Sequence, residues 1–234
     1  MTDAYSTLSP SPRLLLGPGP SEIAPRVLRA CATPLLGYLD PEYITLMDET
    51  QTLLRYVFHT DNEWTMCVPG TGMAGMEAAL INAFEPGEDV VVCVSGVFGE
   101  RMVDVARRAG ARVTRVDAEW GTAVQPEQVA EALRGVKAKV VAIVHAETST
   151  GVLQPLEGIG RIVHEAGALL LVDCVTSLGG MPVDVDERGI DIAYSGTQKC
   201  IGAPPSLAPL TMSAAAVEAF QARKTPVQSF YLDA

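Results

Sequence analysis

The chain has 234 residues, of which 48% are hydrophobic and 19% are charged, and its formal net charge is −11 at pH 7. This composition is typical of a compact globular protein with a sizeable core, and it excludes an intrinsically disordered chain. The acidic balance, without any cluster of Lys and Arg, argues against a nucleic-acid surface. The apolar runs are shorter than the roughly 20 residues that span a bilayer, so no membrane partner is expected.

The five cysteines are scattered and form no C-x-x-C pair, which argues against a zinc site and a disulfide framework. Three of them, Cys67, Cys93 and Cys174, lie in or beside predicted strands, and we expect these to be buried free thiols. The other two are Cys31 and Cys200. The N terminus shows no basic segment followed by a long apolar stretch, so the expected location is cytoplasmic.

The chain begins with a segment rich in Ser, Thr and Pro, and residues 1–20 are predicted to form an N-terminal arm. The arm ends in two Gly-Pro turns at residues 17–20, after which extended structure is expected. Asp40 followed by Pro41 is typical of a helix start, and apolar residues then recur at helical spacing up to Phe58.

From residue 64 onward, short apolar runs alternate with amphipathic segments. The pattern predicts strands at 64–68, 89–94, 112–116, 139–145 and 168–173, and helices at 72–84, 98–109, 126–133 and 155–165. Two later strands, at 191–195 and 207–212, are joined by loops. Strands separated by helices with short connections indicate an α/β fold with a mainly parallel sheet covered on both faces. We expect one large domain over residues 21–234.

A lysine and an aspartate stand at the ends of two of these strands. Asp173 closes an apolar strand, and Lys199 follows another apolar strand after a few small polar residues. An amine can form an imine with an aldehyde, and a carboxylate can keep a ring nitrogen protonated, which together suit pyridoxal phosphate (PLP). Asp173 could instead cap a helix or bind a metal, although the three histidines are dispersed. Lysine is by default a surface residue.

Loops after other predicted strands carry groups that could contact such a cofactor. The glycine-rich turn around Thr71 lies between a strand and a helix, so its N–H groups can hold a phosphate, although an ordinary tight turn explains it equally well. Phe98 at a helix start can stack on a ring or simply belong to the core. Thr148, in a loop of hydroxyl residues, can bond a ring substituent or serve only as a turn residue.

Taken together, these residues resemble the class V aminotransferase family of PLP-dependent fold type I enzymes, and within it the alanine–glyoxylate and serine–pyruvate aminotransferases. The resemblance covers nearly the whole chain, and the segment Tyr194-Ser-Gly-Thr-Gln-Lys199 is its most specific part. Other matching stretches are Leu16-Gly-Pro-Gly-Pro20, Gly70-Thr-Gly-Met73, Glu147-Thr-Ser-Thr-Gly-Val-Leu-Gln-Pro155 and Leu171-Val-Asp173.

The resemblance implies a role for each candidate site residue. Lys199 forms the imine with the cofactor and later moves the α-proton of the substrate, while Asp173 pairs with the pyridinium nitrogen. Phe98 stacks on the ring where relatives often carry Trp. Gly37 belongs to a segment near the substrate, and Met73, in the phosphate turn, stands where some relatives have His. The remaining implied contacts are Val175 below the ring, Thr148 at the phenolic oxygen, and Thr71, Gly72 and Gln198 at the phosphate.

The resemblance also implies a three-layer fold type I large domain in a homodimeric enzyme. Such an enzyme would move an amino group from alanine or serine to glyoxylate or pyruvate by ping-pong chemistry. Family members are longer, and their arginine for the substrate carboxylate lies in a C-terminal small domain beyond the position of Ala234. That domain is therefore expected to be missing, and the truncated chain is expected to turn over poorly. The alternatives are another class V enzyme (a cysteine desulfurase, a phosphoserine aminotransferase or a kynureninase-like hydrolase) or a non-catalytic module.

Overall fold

A computed structural model gives the fold and describes residues 10–234. In chain order its strands are β1 (Trp64–Pro69), β2 (Asp89–Val94), β3 (Arg112–Asp117), β4 (Ala138–Val144), β5 (Ala146–Glu147), β6 (Val152–Leu153), β7 (Leu169–Asp173), β8 (Ile192–Tyr194) and β9 (Leu207–Met212). Its helices are α1 (Pro25–Cys31), α2 (Pro41–Phe58), α3 (Gly72–Ala83), α4 (Val97–Arg108), α5 (Pro126–Gly135), α6 (Ile159–Glu165) and α7 (Ala214–Gln221).

One sheet contains seven of these strands, in the order β1-β9-β8-β7-β4-β2-β3, and β5 pairs with β6 in a separate hairpin. The strands β8, β7, β4, β2 and β3 run parallel to one another, whereas β9 is antiparallel to both of its neighbours. Because β9 reverses the direction on both sides, β1 points the same way as the parallel strands. The carboxyl ends of these strands therefore meet at one edge, where open α/β sheets bind ligands. The predicted mainly parallel α/β fold is confirmed.

Helices cover both faces of the sheet because successive strand residues point to opposite sides. Val90, Val92 and Val94 of β2 belong to a core shared with α3, α4 and α7, whereas Val91 and Cys93 belong to a second core shared with α2, α5 and α6. Strands buried on both faces are continuous apolar runs rather than alternating ones, which explains the sequence of β4 and β7. The result is the three-layer arrangement that the resemblance implies.

Four parts of the chain differ from the prediction. Residues 25–31 form α1 where extended structure was expected, and Pro25 occupies the first helical turn, where its missing N–H costs nothing. Helix α6 begins at Ile159 rather than at residue 155, because Gly158 adopts a left-handed φ of 79° and interrupts the helix. Helix α7 and the hairpin β5–β6 have no counterpart in the prediction. The division into an arm (1–20) and a domain (21–234) stays a prediction, and residues 1–9 lie outside the described part.

All five cysteines are free: Cys93 and Cys174 are buried, Cys67 is half-buried, and Cys31 and Cys200 are exposed. Burial raises the pKa of the Cys67 thiol to about 11, so it is protonated at neutral pH. Within residues 10–234, no helix combines the length and apolar character needed to cross a bilayer. In the same range, no three side chains of His, Cys, Asp or Glu are grouped so that they could hold a metal ion.

Gly160 of α6 provides a test of this packing. A Cβ at this position would overlap the carbonyl oxygen of Arg188, which is backbone and cannot swing away. We expect Gly160→Ala to lower the free energy of unfolding by about 1–3 kcal/mol, measured by urea denaturation. The matched control is Gly135→Ala at the end of α5, where nothing lies within 4 Å of the added Cβ. The control should be neutral or stabilise by up to about 1 kcal/mol, and equal losses in both variants would contradict the packing described.

Candidate functional site

The carboxyl edge of the sheet brings eight of the predicted cofactor contacts around one cavity of about 190 Å³, which we name the Asp173 cavity. These contacts come from four segments, which end or follow the strands β1, β2, β7 and β8. Two lining residues, Met76 and Arg101, were not among the sequence candidates. The lining residues with predicted roles are Thr71, Gly72, Met73, Phe98, Asp173, Val175, Gln198 and Lys199.

Thr148 lies in an adjoining cleft of about 480 Å³, which we name the Thr148 cleft. Lys199 lines both spaces, so its side chain stands at their boundary. The walls of the cleft are mainly apolar and include the arm at Pro18 and the strand β6. Gly37 lies elsewhere, in an exposed turn between α1 and α2, with nothing within 4 Å of the position that a Cβ would take. The structure of the chain therefore does not bring Gly37 to the other candidates.

Asp173 is the last residue of β7 and is only 3% exposed. Its Oδ1 accepts a hydrogen bond from the N–H of Val175 at 2.8 Å, and its Oδ2 accepts one from the hydroxyl of Tyr194 at 2.6 Å. Burial raises the pKa of the Asp173 carboxyl to about 6, and the two hydrogen bonds and the charge of Lys199 oppose that rise. A positive ring nitrogen beside the carboxylate would favour its ionised form, so Asp173 fits a pyridinium partner.

Tyr194 contacts Asp173 directly, although the sequence pattern assigned it no role. It is fully buried, and burial raises the pKa of its hydroxyl well above the ordinary value, so the phenol stays protonated and donates to Asp173. Tyr194 is the register partner of Asp173 on the neighbouring strand β8, so the two side chains share one face of the sheet. A buried tyrosine requires a partner for its hydroxyl, and that requirement is the signal that could have identified the pair.

The amine of Lys199 lies against the N-terminal arm. It donates a hydrogen bond to the carbonyl oxygen of Pro18 at 2.7 Å. The hydroxyl of Ser21 donates to the carbonyl of Lys199 at 2.7 Å, and the N–H of Ser21 donates to the carbonyl of Gln198 at 2.8 Å. A Cβ on Gly19 would lie 2.6 Å from Cδ of Lys199, so only glycine leaves room for the lysine in this position. The arm therefore forms one wall around the candidate nucleophile.

The turn after β1 has the features of an anion site. Thr71 caps α3 without a side-chain hydrogen bond to the helix, so its hydroxyl is available beside the N–H groups of the first turn. A Cβ on Gly72 would lie 3.0 Å from Cγ2 of Val175, so a larger residue here would have to displace the Val175 side chain. Within the described residues, the buried Oε1 of Gln198 has no hydrogen-bond partner, and a buried polar atom of this kind is normally satisfied by a ligand or water.

Phe98 stands in the first turn of α4 and is itself covered by an arginine. The guanidinium carbon of Arg101 lies 4.8 Å from the centroid of the Phe98 ring, a cation–π contact between residues three positions apart on one helix face. Arg101 Nη1 also lies 3.7 Å from the sulfur of Met73. Helical spacing could have revealed this arginine as a neighbour of Phe98. The aromatic ring, the acid, the amine and the anion-binding turn together fit PLP.

Comparison with protein families matches residues 15–225 to the family described as aminotransferase class-V. The chain is 43% identical over 212 residues to (S)-ureidoglycine–glyoxylate transaminase of Bacillus subtilis, which covers 91% of this chain and 51% of that protein. It is 44% identical over 226 residues to alanine–glyoxylate aminotransferase of Callithrix jacchus, covering 97% and 55% respectively. The chain thus spans about half the length of these curated relatives. The crystal structure of an alanine–glyoxylate aminotransferase from Nostoc sp. matches with a TM-score of 0.96 at 50% identity, covering 98% of this chain and 61% of that one.

The buried Asp173 should cost the cofactor-free protein stability. Its pKa rises from 3.8 to about 6 on folding, so between these values the folded state holds a proton that the unfolded chain releases. Protonation of Asp173 therefore favours the folded state fully below pH 3.8, and this contribution to the free energy of unfolding is lost as the pH rises past 6. An amide carries no charge, so the stability of cofactor-free Asp173→Asn does not fall in this way. We expect the free energy of unfolding of the variant, relative to that of wild type, to rise by about 2–3 kcal/mol between pH 4 and pH 7.

The measurement is the difference between the two free energies of unfolding in urea at each pH. Other titrating groups, such as the buried His145, are common to both proteins and cancel in this difference. A difference that stays constant over the pH range would show that Asp173 is not destabilised by burial.

Proposed function

The chain belongs to the class V aminotransferase family, and on this premise we propose that it moves an amino group from alanine or serine to glyoxylate or pyruvate by ping-pong chemistry. The observation that carries the proposal is the convergence of Lys199, Asp173 and the Thr71 turn around one cavity at the carboxyl edge of the sheet. Both curated relatives described above name glyoxylate as a substrate, which favours glyoxylate as the acceptor.

PLP is the cofactor of this family, and when bound it withdraws electrons from the α-carbon of an attached amino acid. With PLP bound, the negative charge of Asp173 would keep the ring nitrogen protonated. Tyr194 and Val175 orient the two carboxylate oxygens of Asp173 for that role. The free amine of Lys199 takes the α-proton at Nζ and later returns it. The carbonyl of Pro18 is an acceptor already placed 2.7 Å from that amine.

The Thr148 cleft is the proposed place for the substrate. It adjoins the Asp173 cavity at Lys199, so a molecule in the cleft lies beside the amine that must handle its proton. Its walls are mainly apolar and include Val152, Leu153 and Met181, so they suit a small aliphatic substituent.

The homodimer also stays a proposal. Apolar side chains in the turn before α2 are open in the single chain, since Leu35 is fully exposed and Tyr38 and Leu39 are each 78% exposed. A second copy that covered this surface would remove the apolar groups from water. The cytoplasmic location is likewise a prediction from the sequence.

Covalent trapping tests the role of Lys199. After incubation with PLP and reduction with borohydride, peptide mapping should find the label on Lys199 in wild type and no label in Lys199→Ala, because among residues 10–234 Lys199 is the lysine that lines the cavity. Lys137→Ala, which removes an exposed lysine far from the cavity, is the control and should label as wild type does. Label on another lysine in wild type would refute the assignment.

A substrate screen tests the reaction. Alanine, serine and aspartate are each paired with glyoxylate and pyruvate, and product amino acids are measured. We expect transfer from alanine or serine to glyoxylate with parallel double-reciprocal plots, because a ping-pong enzyme releases the first product before the second substrate binds. Labelling of Lys199 without any amino transfer would instead favour the non-catalytic module.

A further inference from the structure

One buried carboxylate joins the hairpin β5–β6 to helix α4, and none of the roles above uses it. Glu147 is 1% exposed. Its Oε2 accepts hydrogen bonds from the N–H groups of Phe98 at 3.1 Å and Gly99 at 3.3 Å. Its Oε1 accepts from the N–H of Ser149 at 3.1 Å and from the hydroxyl of the same residue at 2.6 Å. Helix α4 therefore binds Oε2, and the loop of the hairpin binds Oε1.

The start of helix α4 depends on the hairpin β5–β6 and its loop, because no neighbouring side chain caps the helix. The residue before the helix is Gly96, and no side chain caps the helix locally. The N–H of Val97 donates to the hydroxyl of Ser149 at 2.9 Å, and the next two N–H groups donate to Glu147. The first free donors of the helix are thus satisfied from a loop 48 to 52 residues later in the chain. The helix dipole also favours a negative charge at this end.

The junction is close-packed. A Cβ on Gly96 would lie 2.5 Å from both Cγ of Glu147 and Oγ of Ser149. The hydroxyl of Thr150 adds a further link, since it donates to the carbonyl of Ser95 at 3.1 Å. The hairpin loop and the start of α4 consequently form one close-packed, hydrogen-bonded unit.

This unit carries two of the groups that contact PLP in the proposed function. Phe98, whose N–H binds Glu147, lines the Asp173 cavity, and Thr148, the next residue after Glu147, lines the adjoining cleft. We propose that Glu147 is a positioning residue, which fixes the aromatic ring of Phe98 and the hydroxyl of Thr148 relative to each other and so sets the orientation of the cofactor ring. The inference rests on the proposed function, because it concerns how this chain holds PLP.

A purely structural role for Glu147 predicts a different result, and Asp191 provides the matched control. Asp191 is another buried carboxylate, 5% exposed, which accepts from the N–H of Leu170 at 2.8 Å and from the hydroxyl of Ser213 at 2.9 Å. It precedes β8 and therefore lies at the opposite edge of the sheet from the cavity. Loss of its charge should weaken the fold without disturbing PLP.

The experiment compares Glu147→Ala, Glu147→Gln and Asp191→Asn with wild type. Three quantities are measured: amide hydrogen exchange at the start of α4 without cofactor, the dissociation constant of PLP, and the visible circular dichroism of the bound cofactor. Glu147→Ala should speed exchange at Phe98 and Gly99 and change the dichroism. It should also weaken PLP binding roughly tenfold, because PLP binding must then order Phe98 and Thr148 without the free energy of a charge-assisted hydrogen bond. Glu147→Gln keeps one acceptor oxygen and should fall between Glu147→Ala and wild type.

Asp191→Asn should unfold more easily than wild type while keeping the PLP affinity and the dichroism of wild type. If Glu147→Ala fails to fold, the comparison of Glu147→Gln with Asp191→Asn decides between the positioning role and a purely structural role. Wild-type PLP affinity and dichroism in the Glu147 variants would overturn the inference while leaving the proposed function intact. A wild-type chain that binds no PLP would overturn both.

Discussion

The common direction of β1, β2, β4, β7 and β8 is the constraint on which the whole site depends. The central strands β2, β4 and β7 are buried on both faces and consist mainly of aliphatic residues. Each strand nevertheless delivers the segment at its carboxyl end to the same edge of the sheet. A phosphate turn, an aromatic ring, a hydroxyl loop, an acid and an amine therefore meet although more than a hundred residues separate the first from the last.

Burial gives these groups their properties and also carries a cost. Asp173 is shielded from water, so its carboxylate would interact strongly with a positive partner, and the same shielding makes its charge unfavourable when no partner is present. Tyr194 reduces that cost through its hydroxyl, and Glu147 uses backbone N–H groups for the same purpose. In both places, the protein stabilises a buried carboxylate with neutral donors and leaves its charge available to act on its surroundings.

The sequence was sufficient for features that are encoded locally. Apolar runs predicted β2 and β9 with the ends that the structure shows, and the strand-end positions of Asp173 and Lys199 pointed to the same edge of the sheet. Contacts between distant segments were not predictable, because no local pattern encodes which backbone groups will meet. The arm at Pro18 against Lys199 and the capping of α4 by Glu147 both belong to this class. Gly37, assigned only by resemblance, lies apart from the groups that the fold brings together.

The position of β1 has a consequence for how the chain can fold during synthesis. Within residues 10–234 this strand pairs with β9 alone, so that Trp64 finds its partner Met212 almost 150 residues later. The strands β2, β3, β4 and β7 can form a parallel core as soon as they leave the ribosome, whereas β1 must wait with unpaired backbone groups until β9 has been made. A pause in translation before residue 207 would leave one end of the nascent sheet open to pairing with other chains, and chaperones that shield strand edges would act at this stage.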